Sequence, residues 1–438
     1  MKIAQIATGL LIAALGVTTA FCDEKQYALQ DAYAAALATS ENIKIAEEGV
    51  VQADSRIDQA RTYLLPRLTG NAGNTWYNKT LPPEGGAFLF QPRDQFQAGL
   101  VLTQPLYTGG RTLAAFRTAR TLLEMSRKQL TTAQQDMLLN VAAAYFEVLK
   151  AQKLLEVSGD SLSRMEQYKK VTERVASTRR TKANISDLLR AKTLVSQAAI
   201  SVVSARDRLR IARRMLSMLT RLPEDAIVVE PPAQAQPAEN LERLKALALE
   251  YRDDFAGARL NRKAAEQNIT LVRGSHYPQV SAEGGVRYQD SRPAMITDET
   301  VYYGGIRLLV PIFEGGLMKA EVAEARSKLR QAEYATELLR RNIDTEVYEM
   351  SVNLETVTSV LESTRLQYAD AKENFETVTY LFGEGLASSL MVIDAQQALF
   401  LAERELVNVT YERQVAILRL WKSIGLLGKD SASTSATN

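Results

Sequence analysis

The sequence predicts a mainly helical protein with a membrane β-barrel section, built from two copies of one unit. First, a proline followed by paired glycines occurs twice. Proline blocks a helix or a sheet ladder and paired glycines allow a sharp turn, so each copy predicts a strand-to-helix corner. Second, no proline occurs between residues 106 and 222 or after residue 311; very long helices require this, because an internal proline costs about 3 kcal/mol. Third, each corner follows a strand-like run of alternating apolar and polar residues. The matching corner residues are Pro105, Gly109, Gly110, Pro311, Gly315 and Gly316.

Charge and composition exclude some classes of protein. The 438-residue chain has a formal net charge of +2, so there is no case for nucleic-acid binding. Aromatic residues make up only 7% of the chain, and the abundance of Ala, Leu, Gln, Glu, Arg and Lys is typical of long helices. We therefore expect an extended molecule rather than one with a thick globular core.

Residues 1–20 predict a signal peptide. Lys2 supplies a positive charge, residues 3–17 are apolar, and small residues precede the expected cleavage site. The only cysteine, Cys22, follows at once. Phe21 precedes it where a lipid-modified cysteine would require a small residue, so lipidation stays open. The mature chain has no other thiol for a disulfide or a cysteine-bound metal.

The first repeat is expected over residues 21–222. Its predicted elements are a helix over 29–65, strands over 68–77 and 94–103, and helices over 111–178 and 184–222. Ile43, Val50 and Ile57 recur every seven residues, a spacing that makes helices supercoil around their neighbours. At about 1.5 Å per residue, the helix that begins at residue 111 would be roughly 100 Å long. We therefore expect the molecule to be a rod or a tube.

The second repeat is expected over residues 241–428, after a proline-rich linker over 223–240. Its predicted elements are a helix over 241–274, strands over 279–289 and 300–310, and helices over 317–382 and 390–427. Residues 429–438 form a Ser/Thr/Ala tail that we expect to be disordered.

The predicted strands alternate between apolar and polar residues. Phe96 and Leu100 point one way while Gln95 and Gln97 point the other. Strands of about ten residues with one apolar and one polar face are typical of membrane barrels. Arginines in the later strands are costly in contact with lipid, so we expect them to face inward; these are Arg287 and Arg307.

These motifs, in this order, resemble the TolC-type outer-membrane efflux protein family. The resemblance covers nearly the whole mature chain, and the order of its pieces is more specific than any one of them. The motifs that carry it are residues 60–66, 104–110, 144–149, 277–280, 311–316 and 385–396.

The resemblance implies a homotrimer in outer-membrane lipid. Four strands from one chain cannot close a barrel, and a sheet with open edges cannot stand in lipid. Three chains would give a twelve-stranded barrel, continued by an α-helical tunnel through the periplasm. The implied function is a passive exit duct of a tripartite efflux or type I secretion system. The implied partners are a periplasmic adaptor (membrane fusion) protein and an inner-membrane RND or ABC transporter, and no cofactor is implied.

The resemblance also implies roles for residues at the periplasmic tip, where two helical hairpins meet. The implied aperture residues are Asp187, Ser186, Phe382 and Asp394. The implied adaptor-contacting residues are Arg179, Arg180, Lys182, Gly383, Gly385, Leu386, Ala387 and Ser388. The implied position of the two corners is the transition from barrel to tunnel.

Three tip positions depart from the family pattern. Phe382 stands in place of a tyrosine, Ala387 in place of an arginine, and Met391 in place of a second pore aspartate. The hydrogen-bonded latch of the family is therefore not expected here in that form. Simpler alternatives are that Asp394 only favours the helix dipole and that the basic residues near Lys182 form a solvated turn.

Rival functions have less support. A periplasmic coiled-coil scaffold without channel activity is the main alternative, but it leaves the alternating strand faces unexplained. The chain has a single histidine, His276, and no nucleophile–base set, so an enzyme and a metal site are not expected. The cargo is not specified by the sequence.

Overall fold

The structure is a computed structural model that describes residues 26–79, 92–178, 181–232, 234–237, 240–292 and 300–428. The predicted signal peptide, Cys22, Arg179, Arg180 and the predicted tail lie outside these residues.

Eight helices account for most of the described chain. They are α1 (Leu29–Thr39), α2 (Glu41–Thr62), α3 (Arg111–Thr178), α4 (Lys182–Thr220), α5 (Leu241–Tyr251), α6 (Asp253–Ser275), α7 (Leu317–Gly383) and α8 (Ser389–Ser423). The 68 residues of α3 and the 67 of α7 make each about 100 Å long at 1.5 Å per residue. The predicted pair of very long helices after the corners is confirmed.

The prediction of one helix over residues 29–65 and one over 241–274 is wrong. The backbone is extended at Ser40 (ψ 125°) and at Arg252 (ψ 121°), and each residue divides its helix into two. Apolar periodicity continues across both breaks, so it does not reveal them. α1 and α5 end at these breaks, and their buried faces pack into the core clusters on the long helices α3 and α7.

A buried ion network fixes the second break. Arg252 donates two hydrogen bonds to the Asp254 carboxylate at 2.7 and 3.0 Å, and one to Glu346 on α7 at 2.6 Å. It also donates to the carbonyl of Ser423 at the end of α8, at 3.1 Å. Burial would raise the pKa of Asp254, but the hydrogen bonds and charge of Arg252 hold it below its usual value. One side chain thus joins α6, α7 and α8 where α5 ends.

One four-stranded antiparallel sheet lies between the helical segments. Its strands are β2 (Arg67–Trp76), β3 (Asp94–Tyr107), β5 (Gln279–Arg292) and β6 (Thr300–Leu309), in the order β2-β3-β5-β6. The two predicted strand pairs are therefore confirmed, with β3 and β5 each longer than expected. The central contact, β3 with β5, joins strands from the two predicted repeats.

A small parallel pair was not predicted. It joins β1 (Gln26–Tyr27) to β4 (Ile227–Val228), which lies in the predicted linker. The buried Tyr145 hydroxyl lies 2.8 Å from the carbonyl oxygen of Tyr27 and 2.5 Å from that of Val229, and accepts the Val229 N–H at 3.0 Å. The linker is thus anchored against α3.

The core is a series of small clusters along the helices rather than one mass. The largest surrounds the middle of α3, where Tyr145, Phe146 and Val148 are buried with residues of α1, α4 and α8. A second joins α5, α7 and α8, and a third lies near the hairpin ends. Ala191 and Ala395 are both buried in that third cluster, so the helices approach closely there.

Candidate functional site

The four-stranded sheet has one apolar and one polar face. Leu100 pairs with Gly70 on one side and with Val286 on the other, and paired residues project from the same face. Most residues of the four strands follow this division. The exceptions are Asn74, Asp94, Gln104 and Asp290 on the apolar face, and Val101, Val301, Tyr303 and Leu309 on the polar face. The apolar face includes Leu68, Ala72, Phe96, Ala98, Leu100, Leu102, Val280, Val286, Tyr302, Ile306 and Leu308. The polar face includes Thr69, Asn71, Thr75, Gln95, Gln97, Thr103, Ser281, Glu283, Arg287 and Arg307.

Side-chain contacts agree with this division. On the polar face, Arg307 donates to Glu283 at 2.8 Å. On the apolar face, Phe96 and Tyr288 meet edge to face with ring centroids 6.2 Å apart. Large apolar side chains remain uncovered there, Tyr302 being 80% exposed. A patch of this kind on a folded chain marks contact with a membrane or a partner.

Each outer strand of the sheet has one edge that is not paired with another described strand. β2 pairs only with β3, and β6 pairs only with β5, among the residues that the structure describes. Each therefore presents a row of backbone N–H and C=O groups along its free edge. This row requires either water or another strand.

The first corner is tightly packed. Gly109 and Gly110 both have positive φ angles, 63° and 79°, which favour glycine. A Cβ atom added at Gly109 would lie 2.5 Å from the carbonyl oxygen of Gly274 and 2.6 Å from Cβ of Tyr277. Glycine is therefore needed here for its conformation and also because the end of α6 approaches so closely.

The second corner is uncovered. Gly315 and Gly316 have the same left-handed conformation, at φ 60° and 91°, but a Cβ on either would meet nothing within 4 Å in the described chain. The neighbouring Ile312 and Phe313 are 94% and 88% exposed. Equivalent positions in the two predicted repeats thus have very different surroundings.

The predicted tip residues lie at the hairpin ends. Ser388 is the N-cap of α8 and accepts a hydrogen bond from the Met391 N–H, while Gly385 has φ 77°. Phe382 packs on Tyr168 with ring centroids 5.7 Å apart. Ala387 packs on the same cluster. The exposed tip residues are Lys182, Ser186, Gly383, Gly385, Leu386 and Ser388.

The two predicted aperture aspartates are not paired within the described chain. Asp187 is half-buried on α4, and Asp394 is exposed on α8. Neither side-chain carboxylate makes a hydrogen bond or ion pair with a described residue. The structure therefore brings Phe382 into a packed site but not these carboxylates.

Three polar contacts between α3 and α8, one partly buried and two buried, were missed by the sequence analysis. Arg164 donates to both carboxylate oxygens of Glu403, at 3.2 and 2.6 Å. Gln396 donates to the Ser161 hydroxyl at 3.2 Å, and the hydroxyls of Tyr168 and Ser389 share a hydrogen bond. We call these contacts the hairpin tie, because they join the α3/α4 hairpin to the α7/α8 hairpin. The only sign of the hairpin tie in the sequence is that charged residues lie beside the apolar face of the helices.

Comparison with known proteins decides the family. The outer membrane efflux protein family model matches residues 32–220 and 244–426. The chain belongs to the outer membrane efflux protein family. The outer-membrane location and the export-channel function expected from the sequence are thereby confirmed.

Relatives of this efflux protein agree with that assignment. The outer membrane protein TolC of Vibrio cholerae serotype O1 is 25% identical over 385 residues, covering 85% of each chain. The pyoverdine export outer membrane protein OpmQ of Pseudomonas aeruginosa is 25% identical over 416 residues, covering 89% of this chain and 83% of OpmQ. Both relatives are named as outer membrane proteins, and OpmQ is named as one that exports pyoverdine.

The fold of this efflux protein is shared with solved channels. The CmeC outer membrane channel of Campylobacter jejuni superposes with a TM-score of 0.79 at 16% identity, covering 93% of this chain and 88% of CmeC. In the part of the chain that the structure describes, none of the helices has the length and apolar character needed to cross a membrane.

Proposed function

We propose that three copies of this chain form a closed twelve-stranded barrel in the outer membrane, continued by a helical tunnel into the periplasm. The duct is passive: an inner-membrane RND or ABC transporter and a periplasmic adaptor deliver the cargo to it. Each chain contributes two repeats, residues 21–222 and 241–428. The apolar face of the sheet contacts lipid and the polar face lines the lumen.

The observation that carries this proposal is a two-faced sheet with two free edges. Unsatisfied backbone groups in hydrocarbon cost several kcal/mol each, so a sheet in lipid must close on itself. At about 3.4 Å per residue, the ten residues of β6 reach across roughly 30 Å of hydrocarbon. A scaffold in the periplasm would have no use for an apolar face of this extent.

The internal repeat supports a closed sheet. The two repeats can be aligned on their prolines and corner glycines. In this alignment, the pair Arg67–Thr103 of the first repeat corresponds to the pair Gln279–Leu309 of the second. Both pairs are present, so the two repeats pair their own strands in the same register. The same alignment can then be applied to the contact between repeats.

The contact between repeats gives the register expected between copies. Thr103 of β3 lies opposite Glu283 of β5. In the alignment, Thr103 corresponds to Leu309 and Glu283 corresponds to Asn71. Leu309 of one copy is therefore expected to lie opposite Asn71 of the next copy. A shift of one residue would exchange the two faces, whereas this register continues the apolar face across the join.

The second corner is explained by the same assembly. The first corner packs against Gly274 and Tyr277, just before Pro278. The equivalent segment in the first repeat precedes Pro66, at the end of α2. In the proposed trimer this segment of the next copy covers the exposed corner beside Phe313.

Cysteine cross-linking tests the proposed register. Leu309→Cys combined with Asn71→Cys, in a Cys22→Ser background, is expected to form intermolecular disulfides up to a covalent trimer on denaturing gels. The matched control combines Leu309→Cys with Ala72→Cys, which puts the thiols on opposite faces. Cross-linking of the control alone, or of neither pair in protein recovered from the outer membrane, would contradict the register.

Conductance separates the duct from the scaffold. The purified protein is expected to produce discrete conductance steps in planar lipid bilayers, because its lumen is lined by the polar face. A protein that folds and trimerises but never conducts would support the scaffold alternative.

We propose further that the aperture lies at the hairpin ends. Asp187, Ser186 and Asp394 line it, and Phe382 supports it by packing on Tyr168. The hairpin tie holds the two hairpins of each chain together in place of the latch that Phe382, Ala387 and Met391 cannot make. What supports this proposal is the burial of the tie between α3 and α8.

The adaptor is proposed to dock at the exposed hairpin ends. α3 continues from Tyr168 to Thr178, about 15 Å beyond the point where α8 begins. The residues proposed to contact the adaptor are Arg179, Arg180, Lys182, Gly383, Gly385, Leu386, Ala387 and Ser388. Their basic members favour an acidic adaptor surface.

A further inference from the structure

A groove between α3 and α6 lies apart from the sheet, the corners and the hairpin ends. Its volume is 870 Å³, and five of its ten lining residues are basic while only two are acidic. The basic residues are Arg127, Lys128, Arg259, Arg262 and Lys263. We call this feature the basic groove.

Most cations of the basic groove have no partner. Lys128 pairs at 2.7 Å with the buried carboxylate of Asp253. The charged groups of the other four make no hydrogen bond or ion pair with a described residue, and all four residues are exposed. The groove therefore presents positive charge that the described chain does not neutralise.

The basic groove also has an apolar part and a direction. The partly buried Ala256 and Leu260 line it among the cations, whereas Glu124 and Glu266 lie at its end nearest the sheet. This end is defined because α3 leads away from β3 and α6 leads toward β5. A segment that combines carboxylates with apolar side chains fits such a lining better than a bare inorganic anion does.

The positions of the second repeat that match α3, and those of the first that match α6, carry the opposite charge. The alignment of Gly110 with Gly316 matches α3 to α7, and that of Pro66 with Pro278 matches α2 to α6. The second match is supported by the helix breaks, because Ser40 falls on Arg252.

Among the ten positions equivalent to the lining of the basic groove, five are acidic and two are basic. The acidic ones are Glu47, Glu48, Asp54, Glu333 and Glu337, all exposed. Either sign of charge would keep these helix faces soluble, so solubility alone does not explain why one repeat unit reverses the other.

The basic groove opens on the same side of α3 as the β1/β4 pair. Arg127 and Tyr145 are eighteen residues apart, which is about five turns at 3.6 residues per turn, so both project from one face of the helix. Tyr145 contacts the carbonyl groups of Tyr27 and Val229 beside that pair. In the proposed duct this side faces outward, because β1, β4 and α1 would otherwise obstruct the lumen.

The height of the basic groove separates it from other binding surfaces. Residues 124–131 lie roughly 20–30 Å along α3 from its start at Arg111. The end of α3 at Thr178 is about 70 Å further on. The basic groove is thus distinct from the barrel and from the adaptor-contacting residues proposed at the hairpin ends.

We propose that the basic groove binds an acidic segment of a periplasmic protein. Carboxylates of that segment meet Arg127, Arg259 and Lys263, and its apolar side chains pack on Leu260. Arginine suits this role because its planar guanidinium group can donate two parallel hydrogen bonds to one carboxylate. Complementary charge also sets where the partner docks.

The location of this site within one chain has two consequences. Binding does not require the trimer, so its test stands apart from the test of the export function proposed above. In the proposed trimer, the equivalent acidic surface forms where α7 of one copy meets α2 of the next. The partner is therefore held at the seams within chains and repelled from the seams between copies.

Peptide binding tests the charge of the basic groove. A short fluorescent peptide of Glu with interspersed Leu is expected to bind the purified full-length protein saturably in fluorescence anisotropy, and more weakly as salt is raised. Arg127→Glu with Arg259→Glu should weaken binding about tenfold or more, because charge-assisted contacts are lost. These substitutions introduce the residues found at the equivalent positions, Glu333 and Glu47, so the helices should tolerate them.

The matched control is Arg326→Glu with Arg330→Glu, which changes the net charge equally at exposed positions on α7. It should leave peptide binding unchanged. An equal loss in both variants would show attraction to net charge alone and overturn the proposal. So would equal binding of a peptide with Gln in place of Glu, or displacement of the peptide by inorganic phosphate at the same concentration.

Disulfide trapping locates the peptide without altering the cations. In a Cys22→Ser background, Thr131→Cys places a thiol in the basic groove, and Glu337→Cys places one at the equivalent position on α7. A cysteine-ended Glu/Leu peptide is expected to form a disulfide with the first variant much faster than with the second. Equal rates at the two positions would contradict binding in the basic groove, even if the charge variants failed to fold.

Discussion

Gly109 and Gly315 show how two equivalent residues acquire different roles. Both adopt left-handed backbone conformations, which cost a residue with a side chain about 1 kcal/mol or more. Only Gly109 also touches the backbone of another segment, at Gly274. The sequence predicts the turn at both positions from the glycine pairs, but it cannot predict this contact, which depends on a residue more than a hundred positions away.

Substitution by alanine should separate the two glycines. Gly109→Ala is expected to lower the unfolding free energy of the chain by about 2–3 kcal/mol, because strain and a backbone clash add. Gly315→Ala should cost only about 1 kcal/mol within the chain, and should instead reduce the trimer fraction if the next copy covers this corner. Circular dichroism melting measures the first effect and native electrophoresis the second. Equal loss of helix stability in both variants would contradict this distinction.

The strands were predictable because their period is two. The alternation over residues 94–103 identifies the two faces, and the observed pairing keeps them continuous across all four strands. The helices were predictable in length but not in continuity. Ser40 and Arg252 interrupt helices whose apolar periodicity continues past them, and the cause at Arg252 is a set of partners on α7 and α8.

Adjacent residues in β3 give a matched test of the faces. Leu100→Lys puts a charge on the apolar face at mid-strand and is expected to cost about 2–4 kcal/mol in a membrane. Val101→Lys puts the same charge on the polar face, beside the small Gly285, and should be tolerated. The amount of heat-modifiable trimer in outer-membrane fractions measures both. If both variants lose a similar amount of trimer, the two faces of the sheet are in the same kind of environment and the prediction is wrong.

At the scale of the whole molecule, the chain consists of two long hairpins connected at the corners and again at the hairpin tie. The sequence predicted the hairpins and the family, and comparison confirms the family. The sequence did not predict the tie, because Arg164 and Glu403 are 239 residues apart and neither belongs to a motif. Contacts between rods depend on their relative rotation, which periodicity alone does not determine.

Removing the tie should open the proposed aperture. Arg164→Met with Glu403→Met leaves no unpaired buried charge, so it is expected to preserve stability to within about 1–2 kcal/mol while raising single-channel conductance. Arg164→Met alone leaves the partly buried Glu403 carboxylate without its partner and should cost about 2–3 kcal/mol. The control replaces the exposed pair Lys153 and Glu156 on α3 and should change neither quantity. Unchanged conductance in the stable double variant would exclude the tie from gating.

The free edges of the sheet have a consequence for biogenesis. In the proposed trimer, a pair of joined copies still has two open strands, as a single copy has, and only the third copy removes both. Partly assembled species therefore remain prone to edge-to-edge aggregation, and assembly should depend steeply on chain concentration. The helical rods can fold early through local contacts, whereas in the proposed assembly the strands keep their free edges until three chains meet at the membrane.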